Sequence, residues 1–325
     1  MNKLFLFIVL ATGNLLAANY AQANYIADVQ YHTMTYDLGP LDIPASVGDT
    51  SSYGWHDNSS IAYTVWTSDG TQSYMELSLN GTLLGDGVTW ATSNPGIGIQ
   101  YKLDPQDGLF TPDYSTTAPT YRVSLTDYGT SLYTYVHLRY RLVRLLAKVP
   151  PGQITFAPDV TLHVYNPDGL GGDSSGLILS GIASQPKLVA CTINAPAEIK
   201  LPPLYGNNLT SGAMNVTDAP TISLTNCPGA INNITYNFSA VYGTHNAANG
   251  ELNTVTGEGY AEGVYIQIQN EDGSAHIVNG GIDLGYTGSG DYTIPPFKVA
   301  YYIDDPASVT VGNVKSAIQF ILSYN

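Results

Sequence analysis

Alternation of apolar and polar residues with a period of two is the feature that most limits what this chain can become. It runs through "SIAYTVWTS" (60–68), "SYMELSLNG" (73–81), "GIGIQYKL" (96–103), "SLYTYVHLRYRLVRLL" (131–146), "DVTLHVY" (159–165), "TYNFSAVYG" (235–243), "GVYIQIQNEDG" (263–273) and the closing "SAIQFILSYN" (316–325). Successive side chains of an extended strand point to opposite faces, so each stretch reads as a half-buried strand. Asp69-Gly70, Asn80-Gly81, Asp107-Gly108, Asp168-Gly169 and Asp272-Gly273 supply turns between them, and no long helical period competes. The 25 Tyr, 33 Gly and 19 Pro suit many short strands and tight turns. The expectation is an all-β fold built as antiparallel Ig-like or jelly-roll sandwiches rather than an α/β enzyme.

The opening "MNKLFLFIVLATGNLLAANYAQA" has one Lys, an apolar run from Leu4 to Leu10 and small residues at Ala21 and Ala23. That pattern reads as a secretory signal, residues 1–23, with the mature chain starting at Asn24. The remaining length suggests two domains. Between "GLILS" and the first cysteine strand lies Ala-Ser-Gln-Pro, which places a linker at Ser184 to Pro186 and divides the chain into 24–184 and 187–325. Cys191 and Cys227 are the only cysteines, and an even count in an exported chain reads as one disulfide. Acidic residues number 26 against 11 basic ones, a net charge of −15, and no Lys or Arg occurs between Leu4 and Tyr101. Such a surface repels phosphate backbones and sulfated polysaccharides, so nucleic acid and heparin-like partners are excluded and neutral ligands fit better.

In the second half stand "ACTINAP" with Cys191, "TNCPGA" with Cys227, "AEGVYIQIQNEDG" (261–273) and "YTIPPFKVAYYIDDPASVTVGNVKSAIQFILSYN" (292–325), and with these it resembles the pilin domain of chaperone-usher fimbriae. The resemblance also rests on Gly312 and the penultimate Tyr324, which match the family's C-terminal signature. "NPGIGIQYKL" (94–103) and "RLVRLLAKVPPGQITFAPDVTLHVY" (141–165) resemble segments of two-domain fimbrial tip adhesins, in which a lectin-like domain precedes the pilin domain. The resemblance implies a second sandwich lacking one strand, whose groove is filled first by a periplasmic chaperone and later by the extension of a neighbouring fimbrial subunit, with an outer-membrane usher as the assembly platform. It implies that Ile318, Phe320 and Leu322 face the pilin core, that Tyr324 closes its end, and that the carboxylate of Asn325 is the chaperone's handle. A whole domain stands where a shaft subunit would carry its donor extension. The chain is therefore expected at the fimbrial tip on the bacterial surface, reached through the periplasm, holding a host glycan or glycoprotein.

Sugars present apolar C–H faces and polar rims, so aromatic residues beside Asp, Asn or backbone groups are the first candidates for a site. "SSYGWHDNSS" (51–60) gathers Tyr53, Trp55, His56, Asp57 and Asn58 in a turn-rich segment expected to be exposed; the plainer reading makes Trp55 a loop anchor and Asp57 and Asn58 a turn. "DGLFTPDYSTTAPTY" (107–121) offers Asp113, Tyr114 and Tyr121. On the long strand Tyr133, Tyr135, His137, Arg139 and Arg141 share the face opposite Leu132, Val136, Leu138, Tyr140 and Leu142, and Arg there could hold the carboxylate of an acidic sugar; otherwise the row is a solvated face. His32, His56, His137 and His163 lack a close paired spacing and read as scattered, not as a zinc site. Asn166, Asp168 and Asp173 depart from calcium-loop spacing. Gly172 to Gly176 fits GxSxG on paper, yet a strand follows where the nucleophile elbow needs a helix. No enzyme, metal or cofactor is expected. Two alternatives stand beside the adhesin: a structural tip or initiator subunit that binds no glycan, and a metal-dependent adhesin.

Overall fold

The computed structural model describes residues 26–29, 31–66, 73–105, 121–125, 131–165 and 173–325. The signal segment 1–23, the candidates Asp113 and Tyr114, and Asn166 and Asp168 lie outside the described residues. Among the described residues there is no α-helix, and the all-β expectation holds; three short 3-10 turns, Gly206–Asn208, Ala247–Asn249 and Pro306–Ser308, interrupt the strands. The chain divides into two compact units, one ending at Ala147 and resuming over 154–187, the other made of 148–153 and 188–325.

Among the described residues the first unit has ten strands: β1 (Ile26–Val29), β2 (Met34–Asp37), β3 (His56–Trp66), β4 (Ser73–Asn80), β5 (Trp90–Ala91), β6 (Ile97–Pro105), β7 (Tyr121–Leu125), β8 (Ser131–Arg144), β9 (Asp159–Tyr165) and β10 (Ser174–Ser184). They form two five-stranded sheets, in the orders β1-β3-β8-β6-β5 and β2-β10-β9-β4-β7. The alternation read from sequence becomes burial directly: along β9 every second residue, Val160, Leu162 and Val164, is buried. From the facing sheet Ile97, Ile99, Tyr101, Leu103, Leu138, Tyr140 and Leu142 point into the same core. Three of its largest side chains are tyrosines, and burying a hydroxyl without a partner costs about 1–3 kcal/mol. Each therefore has one. The Tyr36 and Tyr101 hydroxyls meet at 2.6 Å, Tyr36 also donates to the Pro158 carbonyl, and the Tyr140 hydroxyl donates to the Asp37 carbonyl while accepting the Asp37 N–H.

The second unit has eleven strands: β11 (Thr192–Asn194), β12 (Gly212–Asp218), β13 (Ser223–Cys227), β14 (Ile234–Ala240), β15 (Thr244–Asn246), β16 (Glu251–Leu252), β17 (Tyr265–Asn270), β18 (Ile282–Asp283), β19 (Gly290–Thr293), β20 (Phe297–Ile303) and β21 (Ile318–Tyr324). The sheets run β11-β13-β19, β12-β20-β17-β16-β15 and β18-β14-β21. Leu224, Ile234, Tyr236, Phe238, Ile266, Ile268, Phe297 and Ile303 form the core, and the Cys191–Cys227 disulfide is formed at its margin. Residues 148–153 are an integral part of this unit. Val149 exchanges hydrogen bonds with the Ser289 backbone N–H and hydroxyl, Gly152 donates to the Ile231 carbonyl, and Ala230 donates to that of Pro150.

Candidate functional site

The aromatic segment at 51–60 is less of a loop than its composition suggests. The turn closes at Gly54, whose φ of +79° is readily reached only without a Cβ, and β3 begins at His56. The Ser51 hydroxyl donates to the Leu142 carbonyl and accepts the Leu142 N–H, while Ser52 donates from its N–H and its hydroxyl to one oxygen of Asp42. The turn is thus fixed to β8 on one side and to the Asp42 carboxylate on the other. Tyr53 at its tip stays 60% exposed.

Once β3 starts, side chains alternate. His56 points inward and is 7% exposed, packed between Tyr53 and Tyr140, with neither ring nitrogen hydrogen-bonded. The expectation of an exposed His56 is therefore corrected: two-residue periodicity, not turn composition, decides its face. Trp55 and Asp57 stay half-buried, and Asn58 lies in β3.

Register brings the turn segment and the long strand together. Asp57 is opposite Arg139 across β3 and β8, and the two form an ion pair at 3.6 Å. Arg139 in turn faces Lys102 on β6, and Arg141 faces Gln100. The Arg141 guanidinium lies over the Trp55 ring, 4.3 Å from its centroid, and its Nε donates to Gln100 Oε1 at 2.9 Å. Gln100 passes its own Nε2–H to Thr89 Oγ1, and Thr89 donates to Asp86, a carboxylate that collects three such bonds. The Thr89 hydroxyl and the N–H groups of Val88 and Thr89 outweigh burial there and hold the Asp86 carboxyl below the usual range. Among the described residues Arg141 has no such acid beside it, and burial pushes its guanidinium down from its ordinary value.

Of the candidate residues, Trp55, Asp57 and Arg139 thus fall on one sheet face with Arg141, while the exposed Tyr53 touches His56, which falls behind it. Gln100 carried no signal in the sequence beyond its place in an alternating strand. Among the described residues no three His, Cys, Asp or Glu side chains cluster closely enough to hold a metal.

The second unit carries a different feature. β21 pairs with β14 from Ile318 opposite Ala240 to Tyr324 opposite Ile234, and it has no strand on its other side among the described residues. Ile234, Tyr236 and Phe238 on β14 are buried, while Ile318, Phe320, Leu322 and Tyr324 pack on the same core yet stay half-buried. Phe320 sits 5.7 Å and 6.0 Å from the Phe238 and Tyr236 rings. The Tyr324 hydroxyl accepts the Cys191 N–H at 2.8 Å, tying the last strand to the disulfide. The Asn325 main-chain oxygen accepts from the N–H groups of both Asn232 and Asn233. At Gly312 a Cβ would stand 2.4 Å from the backbone of Tyr260 and Ala261, which gives this signature glycine its physical reason.

An all-β chain ending in an open-edged, disulfide-bearing unit is the class defined by these features. Residues 181–325 match the family model described as the fimbrial protein. No curated protein matches the chain. Among solved structures, the chain is similar to the CupB6 tip adhesin from Pseudomonas aeruginosa at 15% identity and a TM-score of 0.45, covering 93% of this chain and 94% of that one. It is similar to a CsuC–CsuE chaperone–tip adhesion subunit complex from Acinetobacter baumannii at 9% identity and a TM-score of 0.36, covering 91% and 99%. The receptor-binding domain of the adhesin MrkD1P of Klebsiella pneumoniae is matched at 12% identity and a TM-score of 0.29, over 51% of this chain and 98% of that one.

Proposed function

We propose that the chain is a fimbrial tip adhesin: 24–184 binds a receptor, a glycan or glycoprotein, and 187–325 anchors it in the fimbria by accepting a donated strand. The observation that carries the receptor reading is the Trp55–Arg141–Gln100 arrangement, an aromatic residue and a cation held in place by a hydrogen-bonded chain on the face of a rigid sheet. Binding sites on sandwiches need that kind of support, because a ligand gains little from side chains it must first order. The open edge of β21 supports the assembly reading. Half-buried Ile318, Phe320 and Leu322 would be covered by a strand whose main chain pairs with β21 and whose alternate side chains enter the core. A periplasmic chaperone, an outer-membrane usher and a neighbouring subunit are the partners this requires, and the fimbrial tip on the cell surface is the location.

Full-length protein screened against immobilised glycans and host glycoproteins tests the first half. Binding that disappears in Trp55→Ala supports the face described above; binding unaffected by Trp55→Ala moves the site elsewhere. Absence of any glycan or host-protein binding favours the second reading, a structural tip subunit, for which the open β21 edge alone is enough. The second half is tested with a synthetic peptide of alternating apolar residues. It should raise the unfolding midpoint of the second unit, and an unchanged midpoint at saturating peptide refutes strand acceptance.

A further inference from the structure

The four arginines of the chain are not equivalent. Arg122 donates two bonds to Glu76, at 2.9 and 2.8 Å. Arg139 is paired with Asp57. Arg144 donates to the carbonyls of Pro44, Ala45, Leu146 and Ala147. Arg141 uses only its Nε, for Gln100, and among the described residues its two terminal nitrogens have no partner. It is half-buried all the same, laid on Trp55. A partly desolvated guanidinium with no acid beside it is costly to keep unless something recovers the cost, and the groups left open are the planar fork that receives a carboxylate by two parallel bonds.

We propose that the first unit binds a terminal sugar acid, a saccharide presenting a single carboxylate, with Arg141 as the residue that receives that carboxylate; this rests on reading the Trp55 face as a glycan site. Three features select this ligand. The Asp86–Thr89–Gln100 chain fixes the guanidinium so that little side-chain freedom is lost on binding. The half-buried ring of Trp55, against which the guanidinium lies, supplies an apolar surface next to the cation. The net charge of −15 repels a polyanion along its whole length but opposes one carboxylate only weakly, so a terminal acid fits where a polyuronate or sulfated polymer does not.

The test uses the full-length protein, with titration calorimetry or ligand-observed NMR against 3′-sialyllactose, its methyl ester, lactose, and a polyuronate. The acid should bind, and the ester and lactose should bind about ten- to a hundredfold more weakly, the size of a charged hydrogen-bond pair. Arg141→Gln should lose the same factor for the acid and show no preference between acid and ester. Arg122→Gln, which removes the same charge from the other sheet, should stay within about twofold, and the polyuronate should bind no better than the single acid. Because the ester comparison is made on the unaltered protein, a variant that misfolds does not shield the proposal. Equal affinity for acid and ester overturns the carboxylate and leaves the glycan reading standing. Binding only to deglycosylated host protein, with no saccharide bound, overturns the glycan reading itself.

Discussion

Gly312→Ala is the perturbation whose outcome the structure fixes most closely. The residue is exposed, so burial alone would make the change neutral. Its Cβ, however, would lie 2.4 Å from Ala261 N and Tyr260 C and 2.8 Å from Tyr260 O, where ordinary contact begins at 3.4 Å. The obstacles are backbone atoms, so no side chain can swing aside. Clearing them means moving the 312–313 segment about 1 Å away from 259–261. That movement breaks the Ala261 N–H to Asn313 carbonyl bond (3.0 Å), the Asn313 N–H to Gly259 carbonyl bond (2.9 Å) and the Asn313 side-chain bond to the same carbonyl (3.1 Å). Three bonds at about 1 kcal/mol each give about 3 kcal/mol if the segment opens, and overpacking gives about 1–3 kcal/mol if it does not. A loss of about 2–3 kcal/mol moves a urea midpoint by about 1 M at a slope typical of domains this size. Trp55, Trp66 and Trp90 are the chain's three tryptophans and all lie in the first unit, so tryptophan emission follows that unit while far-UV circular dichroism follows both. The second transition should fall by about 1 M with the tryptophan transition unmoved. A second transition within about 0.2 M of the parent, or an equal shift in both, would refute the close-approach account of this glycine.

Tyr324→Phe leaves the ring in place but removes the acceptor of the buried Cys191 N–H, and should cost the second unit about 1–3 kcal/mol; a change under about 0.3 kcal/mol in the same titration would mean that water replaces the hydroxyl. Gly288→Ala places a Cβ 2.4 Å from the Val149 carbonyl oxygen at a φ of +115°, so it should destabilise the second unit by about 1–3 kcal/mol, and an unchanged circular dichroism midpoint would show that 148–153 is dispensable to it. His276 is buried against Tyr236, Phe238 and Phe297, and burial lowers its imidazole from the ordinary 6.5. Above that pH the ring is neutral folded or unfolded and the stability is complete; as pH falls below it the unfolded chain takes a proton the folded ring resists, and stability declines until pH passes the folded value. His276→Gln should flatten the dependence of the second midpoint between about pH 7.5 and pH 5, and identical slopes in both proteins would rule the residue out as its source.

What was legible in the sequence was whatever a period of two controls. "DVTLHVY" alternates on paper and in the core, and β8 buries Leu138, Tyr140 and Leu142 as the pattern requires. The same rule corrects the reading of His56, since composition suggested a loop there and the alternation of β3 assigned the ring to the inner face. In β17 the rule fails in the other direction. Tyr265–Asn270 buries Gln267 and Gln269 as well as Ile266 and Ile268, because Gln267 reaches the Asn249 carbonyl and Gln269 reaches Gln267, satisfying amides that would otherwise need water. Residues 148–153 gave no warning that they belong to the second unit. "KVPPGQ" holds one apolar side chain besides its two prolines, and its fit depends on Gly229 and Gly288 far along the chain leaving room for Val149.

The candidate site was half legible for a related reason. Residue type pointed to Trp55 and to the arginine row, but which arginine could meet a ligand depends on partners that only pairing register supplies. Opposite Arg139 the register puts Asp57, and opposite Arg141 it puts Gln100. One step of two residues along β8 therefore converts a paired cation into an open one. A carboxylate in place of that amide would close the open guanidinium, and Gln100→Glu puts one there while keeping nearly the same shape. The variant should stay folded, because an Arg–Glu pair replaces an Arg–Gln bond of 2.9 Å, with the tryptophan transition lowered by about 1 kcal/mol for the bond that Gln100 no longer donates to Thr89. It should nevertheless weaken an anionic ligand about tenfold or more, through competition for the guanidinium and repulsion of the incoming charge. Unchanged affinity for the acid in a folded Gln100→Glu protein would mean that Arg141 is a structural prop for Trp55 and that the receptor is held elsewhere on the unit.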